Sequence, residues 1–180
     1  MGARLIVDIR IEGEGPMPAS LGELDVEPLS RRVLETAAQA AGAQGEVSVL
    51  FMGDAGIEAL NARWRGLSKP TDVLSFPASG PHPPGEAPFL GDIAVSLDTA
   101  ARDAAAMGRP LDAHLAHLLA HGLLHLLGHD HEAEDEAETM ERLEADILGR
   151  LGWPDPYRAA ADASAEVLAE APGAGVGLRA

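Results

Sequence analysis

The chain has 180 residues, 46% of them hydrophobic, which is enough for one domain with a sizeable core. It contains no cysteine, so a disulfide framework and a thiolate metal site are both excluded. With no apolar run of about 18 residues, no signal-peptide-like start and a formal net charge of −16, a cytoplasmic protein without membrane partners is expected, and one that repels phosphate backbones at long range.

Leu5 to Ile9 reads as a short strand. Pro28 in a first helical turn opens a helix through Ala41, ended by Gly42. Glu46 to Met52 is a strand with Val47, Val49 and Phe51 on one face. Asp54 is expected to cap a helix whose packed residues are Ile57, Leu60 and Trp64. Val73 to Phe76 reads as a strand stopped by Pro77, and the proline-rich stretch to Pro88 as a mobile loop carrying an exposed His82. Ile93 to Ser96 is the fourth strand, and helices are expected over Leu97–Met107, Leu111–Leu127 and Glu132–Leu148. Trp153 to Tyr157 reads as a docked terminal segment. The domain therefore runs from 1 to 158, and Ala159 to Ala180 reads as a mostly disordered tail. The fold class is α+β: a single domain, a four-stranded mixed sheet, helices packed against it, and the chemistry on a helix-turn segment across one face.

Six of the seven histidines fall within eighteen residues, from His114 to His131. A lone histidine is more often a surface or core residue than a ligand, but this spacing is specific. On a helix His121 and His125 stand about 40° apart, one turn above each other, as two imidazoles do when they share a metal. Gly128 can leave the helix in the left-handed conformation and bring His131 round as a third ligand. Three protein ligands leave an open fourth position, the arrangement of a hydrolytic zinc site; nickel, copper and cobalt also suit three imidazoles. His114 and His117 share that helix face, and with His129 they are expected to line the cleft or orient a neighbour. Asp130 is either an orienting carboxylate or a turn residue. Asp72 and Asp92 are expected to be caps or turn residues.

Charge is unevenly spread. Nine carboxylates crowd into Asp130 to Asp146 and read as a solvated helix face, whereas Asn61 to Pro70 carries Arg63, Arg65 and Lys69 with no acid. Any nucleic acid is expected at that local, arginine-lined segment.

Three stretches together resemble the YbeY family of bacterial rRNA maturation factors. They are Leu60-Asn-Ala-Arg-Trp-Arg-Gly-Leu-Ser-Lys-Pro-Thr-Asp-Val-Leu-Ser-Phe-Pro77, Leu90-Gly-Asp-Ile93, and His121-Gly-Leu-Leu-His-Leu-Leu-Gly-His-Asp-His131. They occur in the family's order, within a resemblance covering residues 3 to 157. Trp64 and His129 stand where the family often has tyrosine. The resemblance implies one zinc per chain on His121, His125 and His131, a functional arginine at Arg65, and the same architecture. It also implies a single-strand-specific, zinc-dependent endoribonuclease in small-subunit rRNA 3′-end maturation and ribosome quality control. The implied partners are ribosomal RNA, ribosomal subunits and their proteins or assembly factors, with no DNA.

Two rivals stand beside it. A metallopeptidase of the helical type places glutamate directly after the first histidine as its base, and Gly122 occupies that position. A non-catalytic assembly factor with structural zinc needs a fourth protein ligand, for which His117, His129 and Asp130 are the candidates. For Arg65 the alternative to a phosphate clamp is an ordinary surface ion pair.

Overall fold

The computed structural model describes residues 5–12, 21–22, 24–129 and 133–158. Among them the elements run β1 (Leu5–Ile11), α1 (Val26–Ala40), β2 (Gly45–Met52), α2 (Asp54–Arg65), β3 (Val73–Pro77), β4 (Phe89–Ser96), α3 (Leu97–Ala106), α4 (Leu111–Leu126) and α5 (Glu134–Arg150). The sheet order is β1-β2-β4-β3, with β1, β2 and β4 parallel and β3 antiparallel on the edge. This is the expected α+β domain with a mixed four-stranded sheet. The segment 159–180, expected as a disordered tail, lies outside the described residues.

The period of two along each strand divides the apolar residues between two layers. Val47, Val49 and Phe51 of β2 join Ile93 and Val95 of β4 on one face, where Val33 and Leu34 of α1 and Leu115, Leu119 and Leu123 of α4 cover them. Met52, Leu74 and Ala94 face the other way and meet Ile57 of α2, with Leu50, Leu60 and Phe76 around them. The thick layer carries most of the core, and α2 alone closes the thin one.

Local chemistry sets the element ends. The Asp25 carboxylate accepts from the Glu27 amide at 3.1 Å and caps α1, so Pro28 falls in the first turn, where its missing N–H costs nothing. The Asp54 expectation needs correction. Gly53 is the cap of α2, and the Asp54 side chain turns to α3, accepting from Ser96 Oγ and Thr99 Oγ1 at 2.7 Å each and from Arg102 at 2.7 Å. Those donors outcompete a backbone amide and rivet α2 to α3. Burial raises the Asp54 carboxyl, but the hydrogen bonds from Arg102, Thr99 and Ser96 outweigh it and hold it below its ordinary value.

Strand β4 begins at Phe89, ahead of the expected Ile93. Gly91 makes the extension possible: at φ +139° it lies so close to β3 that a Cβ would meet the Phe76 carbonyl oxygen at 2.3 Å. Trp64 is also corrected. It is 61% exposed, edge-on to Phe76 at 6.0 Å, rather than packed in the core.

Helix α4 lies against β3 and β4 at a point of close approach. A Cβ on Gly122 would meet Ile93 Cγ2 at 2.9 Å, and Ser75 Oγ donates to the Gly122 carbonyl at 3.0 Å. The contact seats the histidine helix beside the edge strand, where the sheet opens to solvent.

A candidate metal centre beside an arginine-bearing wall

Because α4 repeats every 3.6 residues, His117, His121 and His125 rise in a column along one side. The rings of His121 and His125 meet edge to face with centroids 4.5 Å apart, and their Nε2 atoms lie 3.0 Å from each other. The helix stops one turn later. Gly128 takes φ +88°, its amide donates to the His125 carbonyl and that of His129 to the Leu124 carbonyl, both at 3.0 Å. This is the left-handed exit expected at Gly128. His131 and Asp130, expected just beyond it, lie outside the described residues.

The column is braced from behind by a residue the sequence reading assigned to a solvated face. Glu144 of α5 is fully buried, at 0% exposure. Its Oε1 accepts from His121 Nδ1 at 2.7 Å, and its Oε2 from His117 Nε2 at 3.0 Å and from the Tyr157 hydroxyl. Burial pushes this carboxyl up, but the hydrogen bonds from His117, His121 and Tyr157 outweigh it and hold it at about 2. Tyr157 is driven the opposite way, raised first by its own burial and then by Glu144. A carboxylate so acidic is acceptor-only at neutral pH, so each partner must donate to it.

That constraint selects a tautomer. With its proton on Nδ1, His121 presents a lone pair at Nε2, toward His125 Nε2. Two ligand nitrogens about 2.05 Å from one tetrahedral ion stand about 3.3 Å apart, close to this separation. The donor set fits a zinc-like ion. His117 Nε2 donates to Glu144, so His117 helps hold the carboxylate that orients His121.

A cleft of about 740 Å³ opens in front of these rings, lined by His114, His117, His121, His125 and His129 on one side and by β3 with Arg65 on the other. Arg65 is the last residue of α2, and Gly66 ends the helix at φ +71°. Buried Asn61 secures the following loop by donating from Nδ2 to the Lys69 carbonyl at 2.8 Å. Arg63 lies over the Trp64 ring at 5.2 Å, so the exposed arginine wall carries an aromatic face. Asp72 is the expected turn residue, its Oδ1 accepting from the Val73 amide at 2.8 Å. Asp92 is not a cap or turn residue as expected but an exposed position within β4, paired with Ser48 and Phe76, and His82 is exposed.

Glu144, Tyr157 and Asn61 were missed. For Glu144 a signal existed: it stands in register with Met140, Ile147 and Leu148, all buried, so a charged residue occupies the apolar stripe of α5.

A family model described as Endoribonuclease YbeY matches residues 19–152. A protein named Endoribonuclease YbeY from Rhodopseudomonas palustris is 52% identical over 141 residues, covering 75% of this chain and 82% of that relative. Another of that name from Sinorhizobium medicae is 50% identical over 163 residues, covering 84% and 95% respectively. The solution structure of TM1509 from Thermotoga maritima matches 79% of this chain and 91% of its own at 28% identity, with a TM-score of 0.49. On the extent of the family match and the identity to these relatives, the chain belongs to the YbeY family.

Proposed function

We propose that the protein is a zinc-dependent endoribonuclease that cleaves single-stranded ribosomal RNA, in small-subunit 3′-end maturation and ribosome quality control, on cytoplasmic ribosomal subunits. The name carried by the relatives supports the nuclease class. The observation that carries the reading is the convergence of His121 and His125 nitrogens at 3.0 Å, braced by Glu144, in the cleft that also holds Arg65.

His121, His125 and His131 hold the metal in this reading. Bound there, zinc supplies Lewis acidity toward a phosphoryl oxygen and a water-derived nucleophile near neutral pH. Glu144 keeps the His121 proton on Nδ1, and His117 and Tyr157 keep Glu144 in place. Arg65 grips a phosphate by two parallel hydrogen bonds and offsets the charge that grows on its oxygens during attack. Trp64, exposed beside it, offers a face on which an unpaired base can stack, in keeping with a single-stranded substrate.

The geometry disfavours the peptidase. Gly122 backs onto Ile93 and Ser75 instead of facing the cleft, so a peptidase-type glutamate at that position has neither room nor access. A closed structural site would need a fourth protein ligand, and the zinc and cleavage measurements below separate that reading from the nuclease.

The test is incubation of zinc-loaded protein with purified ribosomal RNA and with assembled subunits, comparing wild type with His125→Ala. Wild type should cleave and the variant should lose both zinc and cleavage. Equal cleavage by the two excludes the metal mechanism. Normal rRNA maturation with both, and no cleavage by either, favours the scaffold.

A further inference from the structure

At the opposite end of α4 from the paired imidazoles, His114 is in the first turn, 3% exposed, with both ring nitrogens buried and without a hydrogen-bond partner among the described residues. An imidazole always carries at least one N–H, and a buried donor or acceptor left unmade costs about 1–3 kcal/mol. Two half-buried carboxylates face it from different elements: Asp72, just before β3, and Asp103 of α3. One ligand atom from each of the three residues lies within 4.8 Å of the other two. These groups make no hydrogen bond with one another, and neither Asp72 nor Asp103 has a lysine or arginine ion-pair partner among the described residues. Two anions are thus held beside an unsatisfied lone pair, which is the electrostatic environment of a cation.

We propose that Asp72, Asp103 and His114 form a second divalent-cation site, separate from the histidine centre. Two carboxylate oxygens and one imidazole nitrogen suit manganese or iron(II), with waters completing the shell. Oxygen ligands about 2.1–2.4 Å from one ion bridge separations of this size without moving the backbone. The Asp72 turn is compatible with this role, because only its Oδ1 is used by the Val73 amide and Thr71.

His114 precedes His121 by seven residues, about 10.5 Å along the helix. Paired co-catalytic metals stand about 3.5–4 Å apart, so this ion does not share the attacking oxygen with the first. Its effect is electrostatic. Asp72 and His114 line the cleft beside Arg109, and a dication there offsets the Asp72 charge and adds to that of Arg109 in attracting an anion, in a chain whose net charge is −16. The site stands on its own residues and does not depend on the nuclease reading.

The experiment is Mn²⁺ titration of the full chain, loaded first with zinc, followed by calorimetry and by paramagnetic broadening of the histidine ring resonances. Wild type should bind one Mn²⁺, and the ring resonances of His114 should broaden before those of His125. Asp103→Asn and Asp72→Asn should each weaken Mn²⁺ at least tenfold while zinc content stays at the wild-type level. Either change leaves a near-isosteric side chain at a half-buried position, and His114→Gln gives a third variant should one of them fail to fold. No Mn²⁺ binding by wild type, binding unchanged in the aspartate variants, or broadening that reaches His125 first overturns the site; a cluster bridged only by water gives the first of these results.

Discussion

The two walls of the cleft are built by opposite rules. The α4–α5 wall places Glu144 at 0% exposure, ties it to three donors and fixes a tautomer on His121. The wall at the end of α2 contributes Arg65, with Arg63, Trp64, Leu67 and Lys69 exposed next to it in the chain and buried Asn61 holding the loop beneath. A metal requires fixed donors, because an error of a few tenths of an ångström costs affinity. A polymeric substrate requires side chains that can follow a backbone of variable shape. One side is held rigid and the other left adaptable, which in the proposed function suits an ion and RNA respectively.

The largest expected effect comes from breaking the rigid wall. Glu144→Ala removes a buried carboxylate and leaves three partly buried donors without their acceptor, at a cost of about 1–3 kcal/mol. Denaturant melting should show that loss, and zinc affinity should fall by about 10–100-fold, as when a ligand's hydrogen-bond partner is removed. Unchanged stability and zinc content would show that the bracing role is wrong.

Next is the adaptable wall. Arg65→Ala should leave melting and zinc content at wild-type levels and slow RNA cleavage by about 10²–10³-fold. Arg65→Lys should recover little, because a point charge lacks the paired donors of guanidinium. A variant that cleaves at the wild-type rate assigns the chemistry to the other wall alone. A smaller change is expected from Trp64→Ala: single-stranded RNA binding weaker by about 1–3 kcal/mol per stacked base, with stability altered by no more than about 0.5 kcal/mol. Equal weakening for duplex and single-stranded RNA would contradict stacking.

The smallest effect concerns what ties the exposed wall to the body. Asp54 is held below the ordinary aspartate value, so its contribution to stability is fully present above that ordinary value and is lost as pH falls through the lower, folded one. Asp54→Asn should flatten stability against pH in that acid range, with a cost at neutral pH of about 1 kcal/mol, because the ion pair to Arg102 is largely solvent-screened. Identical acid melting curves for the two proteins would remove Asp54 from the account.

What was legible in the sequence was whatever depends on a period. Alternation of Val47, Val49 and Phe51 predicts the buried face of β2, and the four-residue step from His121 to His125 predicts two rings side by side. Gly128 likewise marks the end of α4 because few other residues take its backbone angle without strain. The misses share a different cause. Asp54 left its expected cap because Ser96, Thr99 and Arg102, distant in sequence, offered better donors. Glu144 was hidden among nine clustered carboxylates, and only the docking of α5 on α4 brings it to His117 and His121. β4 starts early because Gly91 allows two strands to close to a distance no side chain permits. Pairing across the fold is not written in any one segment.

Gly122 has a mechanical consequence. It sits between the two paired histidines in sequence and touches the sheet with no clearance, so the helix is indexed against Ile93 and Ser75 as a shaft is against a stop. The height of both imidazoles above the edge strand is then set by van der Waals repulsion, which rises far more steeply than any torsional restraint. A lineage that gained bulk at this position would move both rings together, keeping their mutual spacing and losing their alignment with the opposite wall. In the proposed function, ligand substitutions are then the easy route to a different metal, whereas retuning the distance between the two imidazoles and Arg65 requires rebuilding the sheet surface beneath.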